Sequence, residues 1–172
     1  MSRVLVIGCG GVASVAIQKC CQADTVFTEL CIASRTKEKC DALARKLEGK
    51  TKTVITTAKV DADDVNQLIQ LINSYKPDLV MNIALPYQDL TIMDACLACG
   101  VNYMDTANYE PEDTDDPKWR AIYEKRCKEA GFSAYLIIPG SGHTGRNLKR
   151  QDLQHFLAAA LTRVLPRHIV HM

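Results

Sequence analysis

The chain has 172 residues, a length that suits one domain with a sizeable apolar core. Its 21 basic and 20 acidic residues leave a net charge of +1, which gives no electrostatic reason to expect nucleic acid or a membrane as a partner. The N-terminal apolar run is too short for a signal peptide, and no run approaches a membrane span. We therefore expect a cytoplasmic protein.

Strand and helix patterns alternate along the chain. The predicted strands are residues 3–7, 29–34, 53–60, 79–84, 102–106 and 133–138. The predicted helices are residues 12–22, 37–47, 64–74, 90–99 and 117–130, with Asp63 expected to cap the third and Gly100 to end the fourth. This alternation predicts an α/β fold with a doubly wound parallel sheet of the Rossmann type, in three layers α/β/α. We assign residues 1–138 to this domain and residues 139–172 to a divergent tail of uncertain structure.

The first strand runs straight into a glycine turn with the pattern G-x-G-x-x-A. Gly8 allows a tight turn, and Gly10 lacks the β-carbon that would keep a pyrophosphate away from the backbone. The helix that follows points its first amides and its dipole at such an anion, and Ala13 allows it to pack close to the strand. We expect Gly8, Gly10, Gly11, Val12 and Ala13 to bind a dinucleotide; the alternative is a βα turn without a ligand.

The end of the second strand indicates which dinucleotide is bound. An acidic residue usually accepts hydrogen bonds from the adenosine ribose at this point, but Ser34 occupies the position. Arg35 can stack on adenine and form a forked contact with a 2′-phosphate, while Ser34, Thr36 and Lys37 can donate hydrogen bonds. The pattern favours NADP over NAD. The alternative is that Arg35 and Lys37 only begin a solvated helix.

The third and fourth strands end in residues suited to the rest of the coenzyme. Asp61 can accept a hydrogen bond from the adenine amino group, and Ala62 leaves room for the ring. Asp61 can equally organise the turn before the next helix together with Asp63. The loop formed by Ala84, Leu85 and Pro86 offers small or apolar groups that a ribose and a nicotinamide can approach.

The fifth strand brings polar residues to the predicted substrate side of the sheet, because ligands bind at the carboxyl ends of such strands. Asp105 and Tyr103 are the candidates for general acid catalysis. A carboxylate at this position could bind an amine, and it could also only cap a loop.

The cysteines and histidines do not form a recognisable metal site in the sequence. Most of the eight cysteines fall in apolar periodic segments, as expected for small core residues in a reducing compartment. Cys96 and Cys99 have C-x-x-C spacing but lie inside a predicted helix. His155, His168 and His171 lack metal-ligand spacing, so we predict no metal.

Five motifs together resemble one family. They are G-C-G-G-V-A at residues 8–13, A-S-R-T at 33–36, V-D-A-D at 60–63, N-I-A-L-P-Y-Q-D at 82–89 and Y-M-D-T-A-N-Y at 103–109. Their order resembles that of the saccharopine dehydrogenase superfamily, in particular its carboxynorspermidine synthase (carboxyspermidine dehydrogenase) branch, over residues 3–131.

The resemblance implies an NADPH-dependent oxidoreductase. An amine such as a diamine would form an imine with aspartate β-semialdehyde, and the imine would be reduced to a secondary amine. The implied coenzyme site comprises Gly8, Gly10, Gly11, Val12, Ala13, Ser34, Arg35, Thr36, Asp61, Ala84, Leu85 and Pro86. The implied residues near both coenzyme and substrate are Asp105, Thr106, Ala107 and Asn108. Family members are expected to be homo-oligomers.

The chain departs from the family pattern in two ways. The family has a second α/β domain that supplies most substrate contacts, and this chain is expected to lack it. The glycine-rich segment at residues 140–142 begins as in the family, but the similarity then ends. We therefore expect a truncated or frame-shifted product of a family member, or an alternative ending. Two other readings stay open: a non-catalytic NADP-binding module, and a fragment of a saccharopine- or opine-type reductase.

Overall fold

The computed structural model describes residues 2–84 and 88–105, together with the backbone of residues 169–171. The strands in this part of the chain are β1 (Ser2–Ile7), β2 (Phe27–Ser34), β3 (Val54–Lys59), β4 (Leu79–Asn82), β5 (Asn102–Asp105) and β6 (Ile169–His171). The helices are α1 (Gly11–Gln22), α2 (Lys37–Leu47), α3 (Val65–Tyr75) and α4 (Asp89–Cys99). Strands and helices alternate from β1 to β5, as the sequence predicts.

The strands form one sheet in the order β3-β2-β1-β4-β5-β6, and each neighbouring pair is parallel. The chain winds outward from β1 through β2 to β3, then returns to the other side of β1 and continues through β4 to β5. This is the doubly wound order of dinucleotide-binding domains, and the direction changes between β1 and β4. The predicted fold class is confirmed.

Successive side chains of the central strands point to opposite layers of core, because a strand alternates its faces. On β1, Val4 and Val6 pack with apolar residues of α1 and α2. Leu5 and Ile7 pack instead with apolar residues of α3 and α4. The sheet therefore has two helices on each face within the described chain, which gives the predicted three layers.

The start of α3 differs from the prediction. Asp64, not Asp63, caps this helix: its carboxylate accepts hydrogen bonds from the backbone N–H groups of Asn66 and Gln67, at 2.9 and 3.1 Å. Asp63 is turned away, and its carboxylate accepts a hydrogen bond from Gln88 instead. Two adjacent aspartates both satisfy a capping pattern, so only the tertiary contact decides between them. Gly100 does end α4, with a φ of 65°.

Several strand ends also differ from the prediction. Strand β2 begins at Phe27 rather than residue 29, since a register shift pairs Phe27 with Ser2. Strand β4 ends at Asn82 rather than residue 84, because the Asn82 side chain accepts from the backbone N–H of Ala84 at 3.0 Å and turns the chain.

The predicted strand at residues 133–138 and the predicted helix at residues 117–130 lie outside the described residues. The described strand beside β5 is β6, which lies among the residues 139–172 that we assign to the divergent tail. The boundary between a domain at residues 1–138 and a tail at residues 139–172 stays a prediction.

The described cysteines are free thiols, and five of them (Cys20, Cys21, Cys31, Cys40 and Cys96) are buried. This confirms that these five serve as small core residues. Within the same part of the chain, no three metal-ligating side chains cluster, and no helix is long and apolar enough to cross a membrane.

Candidate cofactor-binding site

A cavity of about 340 Å³ opens at the carboxyl ends of the strands, where the winding direction changes. Ligands of open α/β sheets bind at this kind of position. The described residues that line the cavity are Ile7, Gly8, Cys9, Gly10, Gly11, Val12, Ala13, Ser34, Arg35, Val60, Ala62, Ile83, Ala84 and Gln88. The cavity thus joins the glycine turn to the ends of the second, third and fourth strands.

Gly8 holds the turn at a point where no other residue fits. Its φ of +116° lies in the region that favours glycine, and its N–H donates to the carbonyl of Ala33 at 2.8 Å. A β-carbon at Gly8 would overlap the carbonyl oxygen of Ile83 and lie 2.7 Å from the carbonyl carbon. The turn is therefore pressed between the ends of β2 and β4.

Gly10 and Gly11 face open space at the start of α1. A β-carbon on either residue would meet no protein atom within 4 Å. Gly10 is the N-cap of α1 and provides no side-chain hydrogen bond to the first amides of the helix, and Gly11 and Val12 line the cavity. Ala13, in the position of the third glycine of the motif, is buried against the sheet. This arrangement fits a diphosphate group, because unpaired helix amides bind anions.

The end of β2 places two cations in different surroundings. Arg35 is exposed and lines the cavity. Lys37 does not line it: its ammonium group is paired with Asp41, at 2.8 Å. Hydrogen bonds from Lys37 and from the Thr57 hydroxyl lower the pKa of Asp41 below its ordinary value. Of these two predicted phosphate contacts, the geometry favours Arg35.

Ser34 and Thr36 make contacts inside the turn. The Ser34 hydroxyl donates to the carbonyl of Thr36 at 3.0 Å and lies 3.1 Å from the Cys40 thiol. Ser34 lines the cavity, whereas Thr36 lies outside it and forms the N-cap of α2. Ser34 must exchange its bond to Thr36 for one to a ligand if it donates to a phosphate.

The end of β3 presents Ala62 rather than Asp61 to the cavity. The Asp61 carboxylate accepts from the backbone N–H of Asp63 at 3.1 Å, and the Asp61 N–H donates to the side chain of Gln67 at 3.2 Å. These contacts organise the turn before α3, which is the alternative role that the sequence suggests for Asp61. The adenine-binding role of Asp61 stays a prediction.

Asn82 connects the cofactor loop to the core. Its side-chain oxygen accepts from the backbone N–H of Ala84, and its side-chain nitrogen donates to the Tyr103 hydroxyl, both at 3.0 Å. Asn82 is itself buried, as is Tyr103, so this pair fixes the direction in which the chain leaves β4. Ala84 lines the cavity, whereas Leu85 and Pro86 lie outside the described residues.

The two candidate catalytic residues on β5 lie in the interior. Tyr103 and Asp105 are each 1% exposed. Burial, together with the nearby charge of Asp105, raises the pKa of Tyr103 well above its ordinary value of 10. A buried hydroxyl bonded to Asn82 is suited to positioning that side chain. The catalytic roles of Tyr103 and Asp105 stay predictions, and Thr106, Ala107 and Asn108 lie outside the described residues.

Two polar residues in the cavity were missed by sequence reasoning. Gln88 is 6% exposed, and its side-chain nitrogen donates to the Asp63 carboxylate at 2.8 Å. Its place as the residue before α4, which begins at Asp89, is the signal that could have found it. Cys9 also lines the cavity, but burial and the neighbouring Cys40 raise the pKa of its thiol to about 11. That thiol is a poor nucleophile near neutral pH.

Comparison with protein families matches residues 4–134 to the saccharopine dehydrogenase NADP binding domain. The chain belongs to this family. Its coenzyme is therefore NADP. The resemblance to this family that the five sequence motifs indicate is confirmed. The family consists of oxidoreductases, with relatives named as dehydrogenases and synthases.

Two curated relatives extend over most of this chain. Carboxyaminopropylagmatine dehydrogenase of Synechocystis is 44% identical over 138 residues, which cover 79% of this chain and 34% of the relative. Carboxynorspermidine synthase of Vibrio cholerae is 34% identical over 146 residues, which cover 77% of this chain and 35% of the relative. The chain thus spans about a third of the length of these relatives.

A solved structure confirms the fold alone. Apo saccharopine dehydrogenase (L-Glu forming) from Saccharomyces cerevisiae aligns with a TM-score of 0.59 over 78% of this chain and 26% of that one, at 18% identity.

Proposed function

We propose that the chain binds NADP(H) in this cavity and that the complete protein uses the coenzyme to reduce an imine formed from an amine and aspartate β-semialdehyde. The observation that carries the coenzyme part is the pairing of two features at one sheet edge. An uncapped helix start faces open space in front of Gly10, and the exposed guanidinium of Arg35 lines the same cavity.

The lining residues suggest how each part of the coenzyme is held. The amides of Gly11, Val12 and Ala13 bind the diphosphate, since they begin a helix whose N-cap provides no side-chain bond. Arg35 binds the 2′-phosphate, because a guanidinium forms forked hydrogen bonds with phosphate oxygens. Ser34 supports Arg35 after it releases the Thr36 carbonyl. We assign the ribose and nicotinamide side to Ala84, Leu85 and Pro86, with Thr106, Ala107 and Asn108 beside it.

The family and the names of the relatives support this reaction class. The amine and the aldehyde condense to an imine and release water, and the imine then gains a hydride and a proton to become a secondary amine. The bound coenzyme supplies the hydride. Both relatives have names that denote carboxylated amines, which supports a diamine or a similar amine as substrate.

Asp105 and Tyr103, which are buried near the carboxyl end of β5, serve this reaction. We propose that Asp105 orients the amine or its proton and that Tyr103 acts through Asn82, whose bond to Ala84 sets the coenzyme loop. The complete protein is proposed to be a homo-oligomer, like its family, with further substrate contacts from outside this chain.

A titration tests the coenzyme part first. NADPH and NADH are added to the purified chain, and the dissociation constants are measured by calorimetry. We expect NADPH to bind at least about tenfold more tightly, because hydrogen bonds to a charged phosphate are worth roughly 1.5–3 kcal/mol. Absence of binding by either coenzyme would refute the proposal.

Turnover is then followed as loss of bound NADPH when a diamine and aspartate β-semialdehyde are added. Oxidation of NADPH by the chain supports the full proposal. Binding without oxidation restricts this chain to a coenzyme-binding module. Oxidation only with an amino acid and a keto acid points instead to a saccharopine- or opine-type reductase.

A further inference from the structure

The described residues that line the cavity include one buried side-chain amide, that of Gln88. The adenosine half of the coenzyme extends from the diphosphate toward the ends of β2 and β3. Val60 and Ala62 form the β3 side of the cavity, and Gln88 is joined to the next turn residue, Asp63. Gln88 therefore stands on the side of the cavity where a purine base is expected.

The bond to Asp63 fixes which way the Gln88 amide faces. The Gln88 side-chain nitrogen donates to a carboxylate oxygen of Asp63 at 2.8 Å. A carboxylate oxygen accepts hydrogen bonds, so turning the amide over would place two acceptors against each other. The side-chain oxygen of Gln88 and its second N–H are thereby held in one arrangement, a donor beside an acceptor.

This arrangement complements adenine. A glutamine amide can pair with adenine by accepting from its exocyclic amino group while donating to the adjacent ring nitrogen N1. Hypoxanthine has a carbonyl oxygen where adenine has that amino group, and two acceptors would then face each other. We propose that Gln88, oriented by Asp63, reads the adenine base of the coenzyme, the role that the sequence offered to Asp61. This inference rests on the proposed function.

The test compares NADP⁺ with nicotinamide hypoxanthine dinucleotide phosphate on the purified chain, with calorimetric dissociation constants as the readout. We expect the wild-type chain to favour NADP⁺ by roughly tenfold, since a bidentate amide–base pair discriminates by about 1–3 kcal/mol. In Gln88→Leu this preference should fall to about twofold or less, mainly through weaker NADP⁺ binding.

Asp63→Asn provides a second and milder variant. An asparagine side chain can donate as well as accept, so the Gln88 amide becomes free to turn over. We expect NADP⁺ to bind nearly as before and the hypoxanthine analogue to bind more tightly, which removes the preference. Gln67→Leu is the matched control, because Gln67 bonds within the same turn but does not line the cavity. It should keep the wild-type preference.

The possible outcomes separate this inference from the proposed function. An equal loss of affinity for both dinucleotides in Gln88→Leu would mean that Gln88 only supports the turn, and the inference would be wrong. A wild-type chain that binds both equally would also overturn it, while the NADP site itself would stand. A wild-type chain that binds neither refutes the proposed function.

Discussion

Arg35 and Lys37 are separated by one residue and differ in what surrounds them. Lys37 makes an ion pair with Asp41, and Asp41 also accepts a hydrogen bond from Thr57. Arg35 is exposed beside the cavity. A cation that already has a partner must give up that partner before it binds a phosphate. Coenzyme choice should therefore depend on Arg35 far more than on Lys37.

Arg35→Ala is expected to weaken NADPH binding by roughly 10- to 100-fold and to leave NADH binding nearly unchanged, because only NADPH has the 2′-phosphate. Lys37→Ala is the control and should change either affinity by less than about threefold. Calorimetric titration of both variants with both coenzymes measures the effect. Equal losses for NADPH and NADH in Arg35→Ala would contradict the phosphate role.

The structural role of a single residue could be predicted from the sequence where that role depends on the conformation of the backbone around it. The tight turn at Gly8 was predicted correctly because a turn directly after an apolar strand needs a residue that tolerates positive φ. Gln88 was missed because its place in the cavity lining goes with a hydrogen bond to Asp63, 25 residues earlier in the chain. Hydrophobic periodicity reports local structure, so it does not reveal a contact between residues that far apart in the sequence.

At the scale of elements, the start of α3 shows how a cap is selected. Hydrogen bonds from the backbone N–H and the side chain of Gln67 lower the pKa of Asp64 in the folded chain. The folded state therefore binds a proton at Asp64 less readily than the unfolded state. This contribution to stability is present above the ordinary pKa of 3.8 and is lost as the pH falls through the lower folded value.

Asp64→Ala should lower the urea midpoint of unfolding at neutral pH, since it leaves the first N–H groups of α3 without their acceptor. The difference from wild type should shrink as the pH is lowered below 3.8. Asn66→Ala, an exposed substitution in the first turn of the same helix, is the control. A difference that stays constant with pH would rule out the charged cap.

Element boundaries were less predictable than the elements themselves. Apolar periodicity located each of the helices α1 to α4 and strands β1 to β5. It did not locate the end of β4, which is set by the Asn82 side chain turning back to the Ala84 backbone. Side-chain bonds to backbone decide such ends, and hydrophobic pattern carries no information about them.

At the scale of the whole molecule, Gly8 is the point where three strands meet. It follows β1, its N–H donates to the Ala33 carbonyl near the end of β2, and its α-carbon packs against the backbone that leaves β4. Gly10, two residues later, faces open space. The two glycines thus serve the fold and the ligand separately.

Gly8→Ala should reduce the free energy of unfolding by about 2–4 kcal/mol, because the added β-carbon overlaps Ile83 and the backbone conformation becomes strained. Gly10→Ala is the matched variant and should reduce it by less than about 1 kcal/mol. It should nevertheless weaken NADPH binding, since its β-carbon stands where the diphosphate approaches. Urea unfolding and calorimetry measure the two effects. Similar stability losses in both variants would contradict this division.

The sheet order could be predicted only as a class. Alternating strands and helices with right-handed crossovers lead to a doubly wound sheet, and the structure has that order from β3 to β5. The buried pair of Asn82 and Tyr103 could not be predicted, because 21 residues separate them and the pairing of β4 with β5 brings them together.

The buried cysteines affect how any of these stabilities can be measured. Burial raises the pKa of Cys20 to about 12, so the folded chain keeps this thiol protonated and shielded. Unfolding exposes the thiols of both helical layers at once and restores their ordinary reactivity. In a non-reducing solution, random disulfides then trap the unfolded chain, and a heating scan reports an unfolding rate rather than an equilibrium. Reversible unfolding should require a reductant throughout.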